Sequence, residues 1–290
     1  MTGRHEDRFD LGPAILFCPA DRPERYPKAA ARADAVILDL EDAVLPGDRA
    51  DARWALLANP QDPARTVVRV NPAGTEDFAL DLACLAETDY RYVMLAKSEG
   101  PEQVRALADY RVIALCETAL GVVNAPAIAA EPNVVALMWG AEDLIASLGG
   151  TASRHDAATG LGAYRSVPAQ ARAQVRLAAG AHGKAAIDSV YLDLQDTVGL
   201  AAEVGDAVAQ GFSATACLHP AQAEVIRAGY RPTADQIAWA RGVLDEAERQ
   251  TGAFRYQGLM VDEVVLKKAR LLAARGEPVA TASPAGDTEA

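Results

Sequence analysis

The sequence predicts an α/β fold, a (β/α)8 TIM barrel with a C-terminal helical extension. Eight short apolar runs with helical segments in nearly every gap predict it. The runs are near-continuous in Val, Ile, Leu and Ala, as expected of parallel strands buried on both faces. A doubly wound sheet ranks second, because no G-x-G-x-x-G follows the first run and no G-x-x-x-x-G-K-[ST] occurs.

Taken in order, the first strand is AILFCPA (14–20), followed by the polar turn DRPERYPK and a helix. The second, AVILDLEDAV (35–44), ends in Asp39, Glu41 and Asp42, after which Gly47-Asp48 opens a helix through Leu57. TVVRVNP (66–72) is β-branched and carries a single inward candidate, Arg69. A helix near 76–88, the run YVMLAK (92–97) and a helix near 101–109 follow. Two strands at 112–117 and 134–140 flank one helix and run into Glu117 and into Glu142-Asp143. GAEDLIASLGG starts a helix that decays into a Gly-rich polar loop (151–163) of a length usually reserved for function. A long helix over about 165–182, the run AAIDSVYLDL (185–194), a helix near 198–211 and the run SATACLHP (213–220) complete the count. The division expected is a leader (1–12), a barrel (13–230), a helical extension meeting a neighbouring subunit (231–275) and a disordered tail (276–290).

Bulk properties remove several classes of function. With 290 residues the chain can bury a large core, and no window approaches a membrane-spanning helix. A formal charge of −12 argues against a nucleic-acid binder, which needs a basic face. The charged start MTGRHEDRFDLGP does not read as a secretory signal, and four cysteines in apolar or helical runs lack any C-x-x-C spacing. They read as reduced core residues, so a cytoplasmic protein is expected.

In a barrel, the carboxyl ends of the strands build the active site. Collected there are Asp39, Glu41, Asp42, Arg69, Asn71, Lys97, Glu117, Glu142, Asp143, Asp193 and His219. Glu117 and Asp143, on adjacent strand ends with no Cys or His beside them, suit a hard cation such as Mg²⁺. The plain alternative is two helix-capping acids at loop starts. Two acids leave open positions on a metal for a chelating oxo- or hydroxy-acid, with Arg69 neutralising a carboxylate or a developing enolate. Lys97 as a Schiff-base lysine competes with Lys97 as a strand-end ion pair, and the ion pair is the preferred reading. Arg22, Arg25 and Lys28 after the first strand are candidates for phosphate contacts, against a solvated helix start. His219 is more simply structural than a ligand contact, because no second His is placed beside it.

Seven segments in order, LFCPADRPERYPKA, ADAVILDLEDAV, VVRVNP, VMLAK, CETALGV, MWGAEDL and GFSATACLHPAQ, resemble the citrate lyase β-subunit family within the HpcH/HpaI aldolases and malyl-CoA lyases. The similarity runs from about residue 12 to 270, and the chain looks like the stand-alone citrate-lyase-β-like proteins of actinobacteria, which are similar to mitochondrial citramalyl-CoA lyase. The resemblance implies a barrel assembled as a trimer or hexamer and Mg²⁺ on Glu117 and Asp143. It implies substrate contacts by Arg69 and by the Gly140–Ala141 backbone, with Glu142 adjacent, and a catalytic Asp262 donated across a subunit interface. Glu41 and Asp42 match an acid pair near the metal, and the CLHP stretch with His219 falls where coenzyme A ends. One departure is Pro13-Ala14, where the family often carries Arg-Ser.

The expected function is Mg²⁺-dependent cleavage of a 3-hydroxy-3-carboxyacyl-CoA to acetyl-CoA and a 2-oxo acid (glyoxylate, pyruvate or oxaloacetate). The alternatives are a thioesterase or malate-synthase-like activity at the same site, or a subunit acting on an acyl-carrier-protein thioester inside a complex.

Overall fold

The computed structural model describes residues 9–156, 160–250 and 252–276. The segments 1–8 and 277–290, parts of the expected leader and tail, and residues 157–159 of the long loop lie outside the described residues. Two units are distinguished, one ending at Ala228 and one starting at Gly229.

The first unit is a closed barrel of eight parallel strands in sequential order. They are β1 (Ala14–Pro19), β2 (Ala35–Asp39), β3 (Thr66–Val70), β4 (Tyr92–Leu95), β5 (Arg111–Cys116), β6 (Val134–Trp139), β7 (Ala185–Asp188) and β8 (Ala214–Cys217). β1 pairs with both β2 and β8, which closes the ring and leaves no sheet edge. The connecting helices are α1 (Tyr26–Arg32), α2 (Arg49–Ala58), α3 (Glu76–Leu85), α4 (Pro101–Arg105) and α5 (Ala119–Ala129). They continue with α6 (Ala141–Ser147), α7 (Ser166–Ala181), α8 (Thr197–Gln210) and α9 (Pro220–Tyr230). Among the described residues no helix is long and apolar enough to cross a membrane.

Side chains alternate between the barrel interior and the helix-facing side. Ile15, Ile37, Val67, Met94, Ile113, Leu115, Met138 and Ala216 fill the interior core. That parity carries Asp39, Arg69 and Glu117 inward at the carboxyl end, above the apolar layers. The opposite parity sends Trp139 and Asp188 toward the helices. There the Trp139 Nε1 donates to Asp188 Oδ1 at 2.7 Å, and the Arg172 guanidinium of α7 clasps both Asp188 oxygens. Arg172 also packs over the Phe212 ring and pairs with Asp206.

Asp188 is 1% exposed, so its charge depends on that guanidinium. Arg172→Met is expected to destabilise the fold by about 3–5 kcal/mol, the cost of a buried carboxylate stripped of its partner. Chemical denaturation measures it, and Asp188→Asn added to Arg172→Met should recover part of the loss. An unchanged denaturation midpoint in Arg172→Met would show the pair to be inert.

Two expectations are corrected here. The seventh strand stops at Asp188, not 194, and the residues beyond it form a loop. Tyr191 is buried there by packing rather than by strand pairing, with its hydroxyl donating to Asp196. Asp193 therefore is not a strand-end acid; its carboxylate accepts from the Gln195 and Asp196 amides in a turn. Arg154, a described residue of the expected 151–163 loop, is also held by specific contacts. Arg154 bridges to Tyr164, stacks on its ring at 3.6 Å and pairs with Glu203, while Tyr164 meets Trp139 edge-on.

The second unit contains α10 (Ala234–Ala247), a hairpin of β9 (Phe254–Tyr256) with β10 (Leu259–Val261), and α11 (Glu263–Gly276). Thr233 and Gln236 form a reciprocal capping box at the start of α10. The hairpin connects α10 to α11. Its turn, Gln257-Gly258, has both residues at positive φ (48° and 85°), the twist that suits a two-residue hairpin. Ala240, Val243, Val261 and Ala269 form this unit's small core, while Leu259, Met260 and Val264 are exposed.

Candidate active site

The carboxyl end of the barrel gathers five carboxylates around two cations. β2 and β3 pair with Asp39 opposite Arg69, so their inward side chains meet by register alone. Arg69 Nε and Nη2 donate to the two Asp39 oxygens at 2.7 and 2.6 Å, a bidentate clasp, and Nη1 lies 3.1 Å from Glu41 Oε2. Phe17 of β1 stacks its ring against the guanidinium at 5.0 Å. Burial opposes the Arg69 charge, but the Asp39 and Glu41 charges outweigh it and raise its pKa above the usual arginine range.

Asp39 also accepts from the Glu41 and Ala43 amides, fixing the turn after β2. Asn71, after β3, donates to the Leu40 carbonyl and to Asp81, a buried acid of α3 that Arg53 of α2 neutralises. The turn carrying Glu41 and Asp42 is thus held from both the barrel and its outer shell. Burial raises the Glu41 pKa despite its cationic neighbours. Burial alone would raise Asp42 too, but the Lys97 ammonium outweighs it and leaves that carboxyl lowered.

Lys97, just past β4, pairs through Nζ with Glu41 and with Asp42. Burial would lower its pKa, yet the hydrogen bond to Glu41 and that residue's charge hold it above the ordinary lysine range. An ammonium so held is not the free amine that a Schiff base needs.

Glu117 follows β5 and is 2% exposed. Lys97 N–H donates to its Oε1 at 3.1 Å. Its Oε2 lies against Gly140, where an added Cβ would come within 2.9 Å and force the carboxylate to shift. Burial, and next the nearby Asp143 charge, push the Glu117 pKa up to about 8 against the pull of Arg69 and Lys97. Asp143 stands in the first turn of α6, which Gly140 and Ala141 open. Among the described residues no three His, Cys, Asp or Glu side chains converge as a ready metal cage. Glu117 and Asp143 stand close enough for their charges to interact, a pair of carboxylates that could hold an oxygen-preferring divalent cation with open positions.

The remaining expected residues lie as follows. Glu142 turns aside to the Ser153 hydroxyl of the 151–165 segment. Together with His155, Leu161 and Leu192 it lines a cavity of about 410 Å³. Arg22, Arg25 and Lys28 are exposed on the 22–28 segment after β1, and Arg22 and Arg25 lie 3.6 and 3.8 Å from Asp21 and Glu24. His219 is exposed, with Nδ1 accepting from the Ala221 amide at the start of α9. Asp262, in the second unit, accepts from the Val264 and Val265 amides and caps α11. Sequence reasoning omitted Phe17 from the site and gave Asp39 no role. The direct opposition of Asp39 to Arg69 follows from strand register, which no single segment reveals.

A family model described as HpcH/HpaI aldolase/citrate lyase matches residues 14–220. A citrate lyase subunit beta-like protein of Mycobacterium tuberculosis is 52% identical over 264 residues, covering 91% of this chain and 95% of that protein. Mitochondrial citramalyl-CoA lyase of Homo sapiens is 28% identical over 291 residues, covering 89% of this chain and 83% of that protein. Among solved structures, protein CitE of M. tuberculosis in complex with magnesium, acetoacetate and coenzyme A superposes with a TM-score of 0.87. It is 52% identical, with 91% of this chain and 98% of that chain covered.

Proposed function

This chain belongs to the HpcH/HpaI aldolase/citrate lyase family, and from that premise we propose that it cleaves a 3-hydroxy-3-carboxyacyl-CoA of the citramalyl-CoA or malyl-CoA type. The observation that carries this reading is the pair Glu117 and Asp143 beside the clasped Arg69, two acids close enough to interact next to a fixed guanidinium. The M. tuberculosis structure with magnesium, acetoacetate and coenzyme A supports the choice of metal and of thioester.

Glu117 and Asp143 would hold Mg²⁺. When bound, the cation eases loss of the substrate's hydroxyl proton and offsets negative charge on the oxo-acid oxygens. Arg69, fixed by Asp39 and Glu41, receives the substrate carboxylate and the oxygen on which charge develops. As the hydroxyl proton passes to water, the oxygen's electron pair forms the C=O of the oxo acid and the C–C electron pair passes to the carbon beside the thioester. A 2-oxo acid (glyoxylate or pyruvate) departs and an enolate of acetyl-CoA remains. Protonation of that carbon completes the reaction, and Asp262 of a second copy is assigned this proton. The exposed Leu259, Met260 and Val264 around Asp262 support burial of the hairpin against another subunit, in a homotrimer or hexamer. The Gly140–Ala141 amides are assigned to the oxo-acid carboxylate, Glu142 to its margin, and Arg22, Arg25, Lys28 and His219 to the coenzyme A end. Glu41 and Asp42 serve by orienting Arg69 and Lys97.

Purified protein with Mg²⁺ and synthetic malyl-CoA or citramalyl-CoA tests this, with oxo acid and free thiol followed together. Oxo acid without thiol is expected. Thiol without oxo acid would replace the lyase with a thioesterase, and neither product would point to an acyl-carrier-protein thioester and a missing partner.

A further inference from the structure

Lys97 and Gln257 are the two non-glycine residues at positive φ among the described residues, both at 48°. The hairpin turn requires it of Gln257. Lys97 stands in the Ala96-Lys97 turn that leaves β4, where Ala96 N–H still bonds Val70 and Ser98 N–H bonds Leu115. Between these two sheet-directed amides, the left-handed kink frees one N–H, and that N–H donates to Glu117 Oε1. Left-handed backbone is unfavourable for a side chain with a Cβ and persists where surrounding contacts over-determine it. Here the contacts are the residue's own ammonium, tied to Glu41 and Asp42, and the Ser98 hydroxyl bonded back to Leu95.

We propose that Lys97 is a positioning residue with two separable functions. Its backbone amide aims Glu117 at the cation, and its ammonium pins Glu41 beneath Arg69 while holding the kink that exposes the amide. The inference rests on the Mg²⁺ site proposed above. It explains why a lysine at this strand end is a spacer between the metal acid and the Arg69 acids rather than a nucleophile.

The two functions come apart in two variants. Lys97→Gly removes the ammonium but adopts positive φ freely, so the amide stays on Glu117. Lys97→Ala removes the ammonium and keeps the strain, so the kink relaxes and the amide is lost. Mg²⁺ alone, titrated calorimetrically into the full-length protein, should bind Lys97→Gly within about threefold of wild type. It should bind Lys97→Ala about five- to tenfold more weakly than Lys97→Gly, the scale of one left-handed residue. Turnover of malyl-CoA at saturating Mg²⁺ should fall in both variants, because Glu41 is unpinned in both, and should return in part with Lys97→Arg. Equal Mg²⁺ affinities for the Gly and Ala variants, with a wild type that binds, would overturn this inference and leave the metal reading standing. A wild type that does not bind Mg²⁺ would overturn the metal reading and the inference with it.

Discussion

Asp143→Asn is expected to abolish Mg²⁺-dependent turnover, by on the order of 10³-fold or more, while leaving the barrel folded. Asp143 stands in the first turn of α6 at the carboxyl end of the barrel and is half-buried, outside that helix's buried residues Ala141 and Leu144. Its loss relieves rather than strains the structure, because its charge helps push Glu117 up to about 8. The metal-free variant should therefore melt no lower than metal-free wild type. Glu117→Gln should behave alike, since an amide oxygen still accepts from Lys97 N–H. Retained Mg²⁺-dependent activity in Asp143→Asn would remove these two residues as the metal's donors.

Replacement of Arg69 has the second large effect, and it separates chemistry from stability. Arg69→Lys keeps a cation beside Asp39 and Glu41 but loses the planar fork. Turnover should fall by about 10²–10³-fold, the scale of one lost oxyanion donor, with Mg²⁺ affinity little changed. Arg69→Met leaves Asp39 and Glu41, both nearly inaccessible to water, without their shared guanidinium. That variant should lose about 3–5 kcal/mol of stability and is a poor test of mechanism. Steady-state kinetics beside chemical denaturation of the two variants checks both statements; wild-type turnover in Arg69→Lys would show the guanidinium to be structural only.

The residues that made the barrel legible also hid part of its site. Strands buried on both faces read as unbroken apolar runs, so all eight were located from segments such as AVILD and TVVRV. The same uniformity conceals parity. In β3 the charge of Arg69 marks the inward face, but nothing in AAID tells that Asp188 points outward to Arg172. The sequence overextends β7 because Val190, Tyr191 and Leu192 prolong its apolar run, although Leu192 and Leu194 are exposed and only Tyr191 among its aromatics and leucines is buried. The β9–β10 hairpin escaped because Gln-Gly lacks the Asn-Gly or Asp-Gly signature of its turn. Glu117, Asp143 and Arg69 were readable as strand-end chemistry. The Lys97 kink was not, because a positive φ at lysine has no sequence signal.

The most direct measurement is Mg²⁺ titration of protein stripped with EDTA, by calorimetry, with oxo-acid release from malyl-CoA or citramalyl-CoA followed on the same samples. One ion per chain, turnover restored in step with its binding, and neither in Asp143→Asn is the expected result. Oxo acid released at an undiminished rate by the stripped wild type would contradict the metal-assisted lyase.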